Sequence, residues 1–319
     1  MAKITLTDVL AARNRIRPYL PVTPLHRYSG LDTLIGAEVY IKHENYQPVG
    51  AFKVRGGINL ARQLSLEERE RGLITASTGN HGQSVAYGAR MVGAKARIVV
   101  PEGANPGKVA AMQGLGAEVI VHGEKFDNAR LRAEELAVKQ GYRYVHVADP
   151  LLIAGVGTVT LEILEQQPDV EVIIAPVGSG GDLAGACITA HGINPDIRVI
   201  GVQAAAAPAA YHSWRTRKIV EAPNTTIAEG LATGVGFEES QQILWKELDH
   251  FVLVSEEEMM QSVVWMLQHA HSLAETAGAA PLAAAYNLRG ELRGQKVALI
   301  CSGGNLSLEK LRLILNTIG

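Results

Sequence analysis

The chain has 319 residues, 47% of them hydrophobic, with 30 basic against 32 acidic side chains and a formal charge of −2. That length and apolar content can bury a large core in two lobes. A near-neutral charge with no basic run and no aromatic–basic interleaving excludes nucleic acid as the main partner, and no apolar stretch reaches the roughly 18 residues of a membrane span.

The N-terminal stretch Met1 to Arg17 carries Lys3, Asp8, Arg13 and Arg15 and lacks the apolar core of a signal peptide, so a cytoplasmic protein is expected. Cys187 and Cys301 lie far apart in apolar sequence and read as buried free thiols. The histidines show no His-Glu-x-x-His or comparable spacing, so no zinc site is expected.

Along the chain, Thr7 is placed to cap a helix from Asp8 to about Tyr19, ended by Pro21, and Thr23-Pro24-Leu25 leads into a loop. Glu38 to Lys42 reads as a short strand. In the stretch after it, Asn45 to Gly57, Pro48 and Gly50 break the strand. Phe52, Val54, Ile58 and Leu60 then give mixed apolar spacing, so Lys53 stands near a helix start beside Phe52. Partial burial there lowers a lysine pKa and frees the amine to add to an aldehyde as a Schiff base. A solvated surface charge is the ordinary alternative for any single lysine.

The pattern then alternates. Leu73 to Ala76, Ala96 to Val100, Glu118 to Val121, Tyr144 to Val147, Val172 to Ala175, Arg198 to Val202, Phe251 to Val254 and Val297 to Cys301 are short Val/Ile-rich runs, nearly all separated by helix-like segments. Such alternation predicts an α/β protein with a largely parallel sheet buried on both faces. No repeat of fixed period and no low-complexity hinge is present, although Ala204 to Ala210 is an alanine-rich loop or helix start.

Ligands of open α/β sheets sit beyond the carboxyl ends of the strands, which directs attention to three turns. Ser77-Thr78-Gly79-Asn80-His81-Gly82-Gln83 follows the 73–76 strand and opens a helix-like segment from Ser84 to Met91. Its backbone N–H groups at the positive helix end suit a carboxylate, and an ordinary βα turn capped by Asn80 fits the segment equally well. Gly178-Ser179-Gly180-Gly181-Asp182-Leu183 follows the 172–175 strand as a phosphate cradle, in preference to a merely tight turn. Leu183 falls where a third dinucleotide-fingerprint glycine belongs, and the nucleotide-binding Gly-Lys-Ser/Thr ending is missing too. Ser302-Gly303-Gly304-Asn305 follows the last strand and offers one hydroxyl. Glu275, after the helix-like Glu256 to His271, reads by itself as a surface group favoured by a helix dipole.

Taken together, Lys42 to Gly56, Ser77 to Gln83, Gly178 to Gly181, Thr226-Ile227-Ala228-Glu229-Gly230 and Ser302 to Asn305 resemble the serine/threonine dehydratase family, over nearly the whole chain from Thr23 onward. That family consists of pyridoxal 5'-phosphate enzymes of the tryptophan-synthase β-like fold. The resemblance implies a small lobe of residues 72–148 inserted into a large lobe of 1–71 and 149–319, and a homodimer. It implies that Lys53 holds the cofactor and shuttles the substrate α-proton, that Phe52 packs on the ring, and that Asn80 bonds the phenolic oxygen. Gly178, Ser179, Gly180 and Gly181 would bind the phosphate. Ser302 would face the pyridine nitrogen, a neutral partner that leaves the ring a weaker electron sink. Ser77, Thr78, Gly79, Asn80 and His81 would hold the substrate carboxylate, with Gly230 lining the pocket. Glu275 matches a family glutamate near the ring, although Thr276 stands where proline is expected.

Departures from the family pattern narrow the reaction. Its racemases are similar to one another in carrying, as the acid on the opposite face of the substrate, a serine where this chain has Thr78, a second catalytic candidate whose hydroxyl can donate a proton but whose methyl restricts its rotamers. Cation-binding members carry two carboxylates where this chain has Gln203 and Ala209, so no metal is expected. The chain ends soon after Asn305, so the effector-binding domain of biosynthetic relatives is not expected. The implied function is dehydration and deamination of a β-hydroxy amino acid such as L-threonine or L-serine to a 2-oxo acid and ammonia. Alternatives are a racemase, a lyase for 3-hydroxyaspartate or a hydroxyectoine breakdown product, a non-catalytic cofactor carrier, and, against the glycine spacing, a nicotinamide oxidoreductase.

Overall fold

The Val/Ile-rich runs form strands, and those at the centre of each sheet are buried on both faces, whereas Glu118–Val121 is half-exposed at an edge. In the computed structural model, which describes Ile4 to Ile318, they build two sheets. Lys3, one of the N-terminal charges, lies outside the described residues. The strands are β1 Leu25–Arg27, β2 Glu38–His43, β3 Leu73–Ala76, β4 Ala96–Val100, β5 Glu118–Val121, β6 Arg143–Tyr144, β7 Val172–Pro176, β8 Arg198–Ala204, β9 His250–Val254 and β10 Lys296–Cys301. The larger sheet has the order β1-β2-β10-β7-β8-β9, parallel except where β1 meets β2; the smaller, β5-β4-β3-β6, is parallel throughout.

Every residue of β3 and β7 is buried. Apolar clusters cover both faces of the larger sheet, one gathering Val172, Ile174 and Leu299, the other Ile173, Ala175 and Ile300. Alternate residues of one strand thus feed opposite cores, as a period of two requires. Each fully buried Val or Ile contributes about 1.5–3 kcal/mol, so these strands hold the sheet against the entropy of ordering it.

Several boundaries differ from the sequence expectations. The first helix runs Leu6–Ile16 with Thr5, not Thr7, at its N-cap, because Thr5 and Asp8 form a reciprocal capping box. Thr23-Pro24-Leu25 leads into a strand rather than a loop: β1 pairs antiparallel with β2, Leu25 opposite Lys42. The strand expected at Tyr144 to Val147 shortens to Arg143–Tyr144, an edge strand paired only to β3. The helix after β3 spans Asn80–Met91 with Gly79 as its N-cap, so Asn80 is the first helical residue and its side chain is free for other partners. Both cysteines are buried free thiols. Among the described residues no helix is long and apolar enough to cross a membrane.

Candidate active site

β2, β10 and β7 are neighbours running in the same direction, so their carboxyl ends open side by side. β2 leads through a short turn to Lys53, β10 to Ser302 and β7 to Gly178. β3 of the smaller sheet delivers the Ser77 turn from the other side. All these residues line one cleft of ≈ 950 Å³: Phe52, Lys53, Ser77 to His81, Gly178 to Asp182, Gly230, Glu275 and Ser302.

Lys53 is the N-cap of the Val54–Ala61 helix. Its Nζ lies 5.0 Å from the centroid of the Phe52 ring. Desolvation is the main influence on this amine and pulls its pKa below the ordinary lysine value, against the opposing charges of Asp182 and Glu275. The lysine is fixed from behind by the Phe52 amide, which donates 3.0 Å to the Ser302 carbonyl, and by the Ser84 hydroxyl, which donates 2.5 Å to the Lys53 carbonyl. Two residues on, Arg55 makes double contacts with both Glu44 and Glu162, four bonds of 2.7 Å each, and Lys42 also reaches Glu162 at 2.7 Å. Two cations and two anions balance in this fully buried knot, which ties the end of β2 to the start of the lysine helix. Its four members are up to 120 residues apart and share no local periodicity.

The glycine loop is shaped by close approach. A Cβ on Gly178 would lie 2.2 Å from the Gly230 carbonyl oxygen, and Gly180 takes a φ of 83° that disfavours side chains. The Ser240 hydroxyl donates 2.6 Å to the Ser179 carbonyl, which fixes the loop from one side. The N–H groups of Gly178, Ser179 and Gly180 donate to no acceptor among the described residues, and the Gly181–Ile193 helix begins where the loop ends.

Glu275 is a buried N-cap of the Thr276–Asn287 helix, not the surface group expected from its segment alone. Burial holds its pKa up, while the Asn80 hydrogen bond and the Lys108 and Lys310 charges oppose the rise. Asn80 donates 2.8 Å to Glu275 Oε1 and accepts 2.8 Å from Asn305 Nδ2. Ser77 spends its hydroxyl on its own turn, accepting from Gly79 N at 3.2 Å and Gly82 N at 2.9 Å. His81 is held by Thr75 at 3.0 Å, and its pKa falls to about 3, chiefly through burial, so the ring is neutral. Thr78 is half-exposed on the cleft wall and Ser302 is buried at its base.

Sequence reasoning did not single out Asp182, Asn305, Arg55 or Glu162. Asp182 sits in the quoted glycine motif, but an acid in a first helical turn ordinarily reads as a solvent-facing dipole partner.

The profile of the family described as "Pyridoxal-phosphate dependent enzyme" matches residues 16–303. The chain belongs to this family. The L-threonine ammonia-lyase of Thermotoga maritima is 39% identical over 317 residues, 98% of this chain and 78% of that protein. Among solved structures, the processed threonine deaminase isoform 2 of Solanum lycopersicum superposes with a TM-score of 0.94 at 32% identity, covering 98% of this chain and 92% of that one. The serine racemase of Dictyostelium discoideum gives 0.91 at 34% identity, covering 96% and 100%.

The cleft suits the pyridoxal-phosphate cofactor of this family. A desolvated lysine amine is a nucleophile for an aldehyde, unpartnered N–H groups at a helix start suit a phosphate, and the Phe52 ring beside the amine offers an apolar surface to a flat heterocycle.

Proposed function

We propose that the protein is a pyridoxal-phosphate-dependent ammonia-lyase that converts a β-hydroxy amino acid such as L-threonine or L-serine to a 2-oxo acid and ammonia. The single observation that carries this reading is the desolvated Lys53 amine in one cleft with the glycine loop and Ser302. Lys53 would hold the cofactor through its ε-amine, Gly178 to Gly181 its phosphate, Asn80 its phenolic oxygen and Ser302 its ring nitrogen. Phe52 would pack on its ring, and Glu275 orients Asn80. When bound, the cofactor withdraws electrons from the substrate Cα.

Lys53 then removes the α-proton, a role that desolvation favours by lowering the pKa of its amine. The Cβ–O bond breaks and the hydroxyl leaves as water, its added proton balancing the one taken from Cα; the released enamine tautomerises to the imine, whose hydrolysis consumes a water and releases ammonia. The Asn80 and His81 N–H groups at the start of their helix would bind the substrate carboxylate, while Thr78 and Gly230 bound the space for its side chain. Thr78 also separates this reading from racemisation, for which a freely rotating hydroxyl would have to protonate the opposite face.

The protein is further proposed to be a cytoplasmic homodimer in which residues 72–148 move as a small domain against 1–71 and 149–319. Incubation with L-threonine, L-serine and 3-hydroxyaspartate, following 2-oxo acid and D-isomer together, tests the reaction. A 2-oxo acid without D-isomer is expected, and D-isomer as the main product overturns it. Lys53→Ala should remove both the visible chromophore and turnover, with kcat/KM down about 10³-fold or more. Retained turnover would show that another group does this work.

A further inference from the structure

Asp182 is a carboxylate on the cleft floor to which the dehydration gives no task. It is 4% exposed, and neither carboxyl oxygen meets a hydrogen-bond donor among the described residues. Instead of facing solvent from the first turn of the Gly181–Ile193 helix, it turns inward. There it lines a small cavity of ≈ 20 Å³ together with Phe52, Lys53, His81 and Ser84. That space matches about one water molecule. Asp182 is also the strongest charge acting on Lys53, ahead of Glu275.

The other groups facing this carboxyl are few. Burial, the largest influence, pushes its pKa up to about 7, and the Glu44 charge adds to this, while Lys53 and Arg55 oppose it. Arg55 is committed to Glu44 and Glu162. His81, on the same cavity, is neutral. Lys53 and Asp182 therefore remain as the two groups on this cavity that can exchange a proton with one another.

We infer that Asp182 is a positioning residue for the proton chemistry of Lys53: its carboxyl group holds a proton that passes to and from the lysine nitrogen across their shared cavity. In the forward sense the O–H bond of Asp182 breaks and an N–H bond forms on the lone pair of Lys53 Nζ; the carboxylate left behind balances the new positive charge. The reverse step restores both groups. A charged Asp182 favours the protonated form of that nitrogen, whether free or bonded to the cofactor. The inference rests on Lys53 being the cofactor lysine.

The test is a pH titration of the visible absorbance of the holoenzyme, wild type against Asp182→Asn, Asp182→Leu and Asp182→Glu, with kcat/KM followed over the same range. In the Asn and Leu variants the chromophore midpoint should fall by about one pH unit or more, the shift an opposite charge produces at short range. The limb of the rate profile near pH 7 should disappear with it. Asp182→Glu should restore both. An unchanged midpoint in Asp182→Asn that still binds cofactor overturns the inference. Asp182→Leu guards against misfolding, because exchanging an unpaired buried carboxyl for an apolar group of similar size is neutral or stabilising. If both variants fail to fold, the carboxyl is structural and the inference falls as well. Lys53→Ala, measured alongside, separates the two readings: loss of chromophore there with wild-type titration in Asp182→Asn removes only the role of Asp182.

Discussion

The side-chain amide of Asn80 donates a 2.8 Å hydrogen bond to the carboxylate of Glu275, which lies 195 residues away in the chain. One residue begins the helix after β3 in the smaller sheet, the other begins the helix before β10 in the larger. The bond therefore spans the cleft that both sheets face, and Asn305 extends it by holding the Asn80 oxygen at 2.8 Å. Replacing Asn80 with Ala leaves Glu275 buried without this donor. The expected cost is about 1–3 kcal/mol of stability, together with weaker cofactor retention. Urea unfolding and cofactor titration measure the two separately, and wild-type values in both would remove Asn80 from the site.

Gly178→Ala puts a methyl group 2.2 Å from the Gly230 carbonyl oxygen, a backbone atom that cannot swing aside. Overpacking of this kind costs about 1–3 kcal/mol, and here the loop that moves is the proposed phosphate site. Cofactor affinity should drop by about tenfold or more. Binding at wild-type strength would place the phosphate elsewhere.

Arg55→Met removes one of the two cations that neutralise Glu44 and Glu162 in a fully buried cluster. An uncompensated buried charge of this sort destabilises by about 3–5 kcal/mol. The urea midpoint should fall accordingly, with little change in the unfolding slope. A loss below about 1 kcal/mol would mean that water reaches the carboxylates.

Stability should also decline in mild acid. His43 is fully buried against Tyr28 and Tyr46, and its pKa falls from 6.5 to about 4, mainly through burial. The unfolded chain takes up this proton more readily than the native one. The contribution is therefore complete above pH 6.5 and is lost as pH falls toward about 4, at a slope near 1.4 kcal/mol per pH unit for one group. His81 adds a second such group with a folded pKa of about 3. His43→Gln should flatten the thermal-stability curve between those limits. The same slope in the variant would assign the acid sensitivity to other groups.

Activity should survive chelation. Gln203 spends its side-chain oxygen on the Tyr211 N–H at 3.0 Å, and Ala209 is a buried methyl, so neither offers a hard cation the carboxylate it requires. Turnover after dialysis against EDTA should stay within about twofold of the untreated enzyme. A larger loss restored by magnesium would reveal ligands elsewhere in the chain.

The sequence by itself determined the class of the fold and the inventory of the site. The Val/Ile runs are local, so β3, β4 and β5 fall where their composition ends them, although β5 lies half-exposed at a sheet edge. Lys53, the Ser77 turn, the glycine loop and Ser302 are each readable because a break in pattern follows a strand. Only the tertiary structure decided what these pieces do to one another. That β10 lies between β2 and β7 is a matter of strand order, and it alone sets Ser302 between Lys53 and Gly178. The same applies to acids at helix starts: Glu275 and Asp182 have the sequence surroundings of dipole-stabilised surface groups, yet both are buried on the cleft. Burial is a property of what packs over a residue, and the covering elements come from distant parts of the chain. Charge pairs such as Arg55 with Glu162, 107 residues apart, carry no local periodicity and become visible only once the chain has closed on itself.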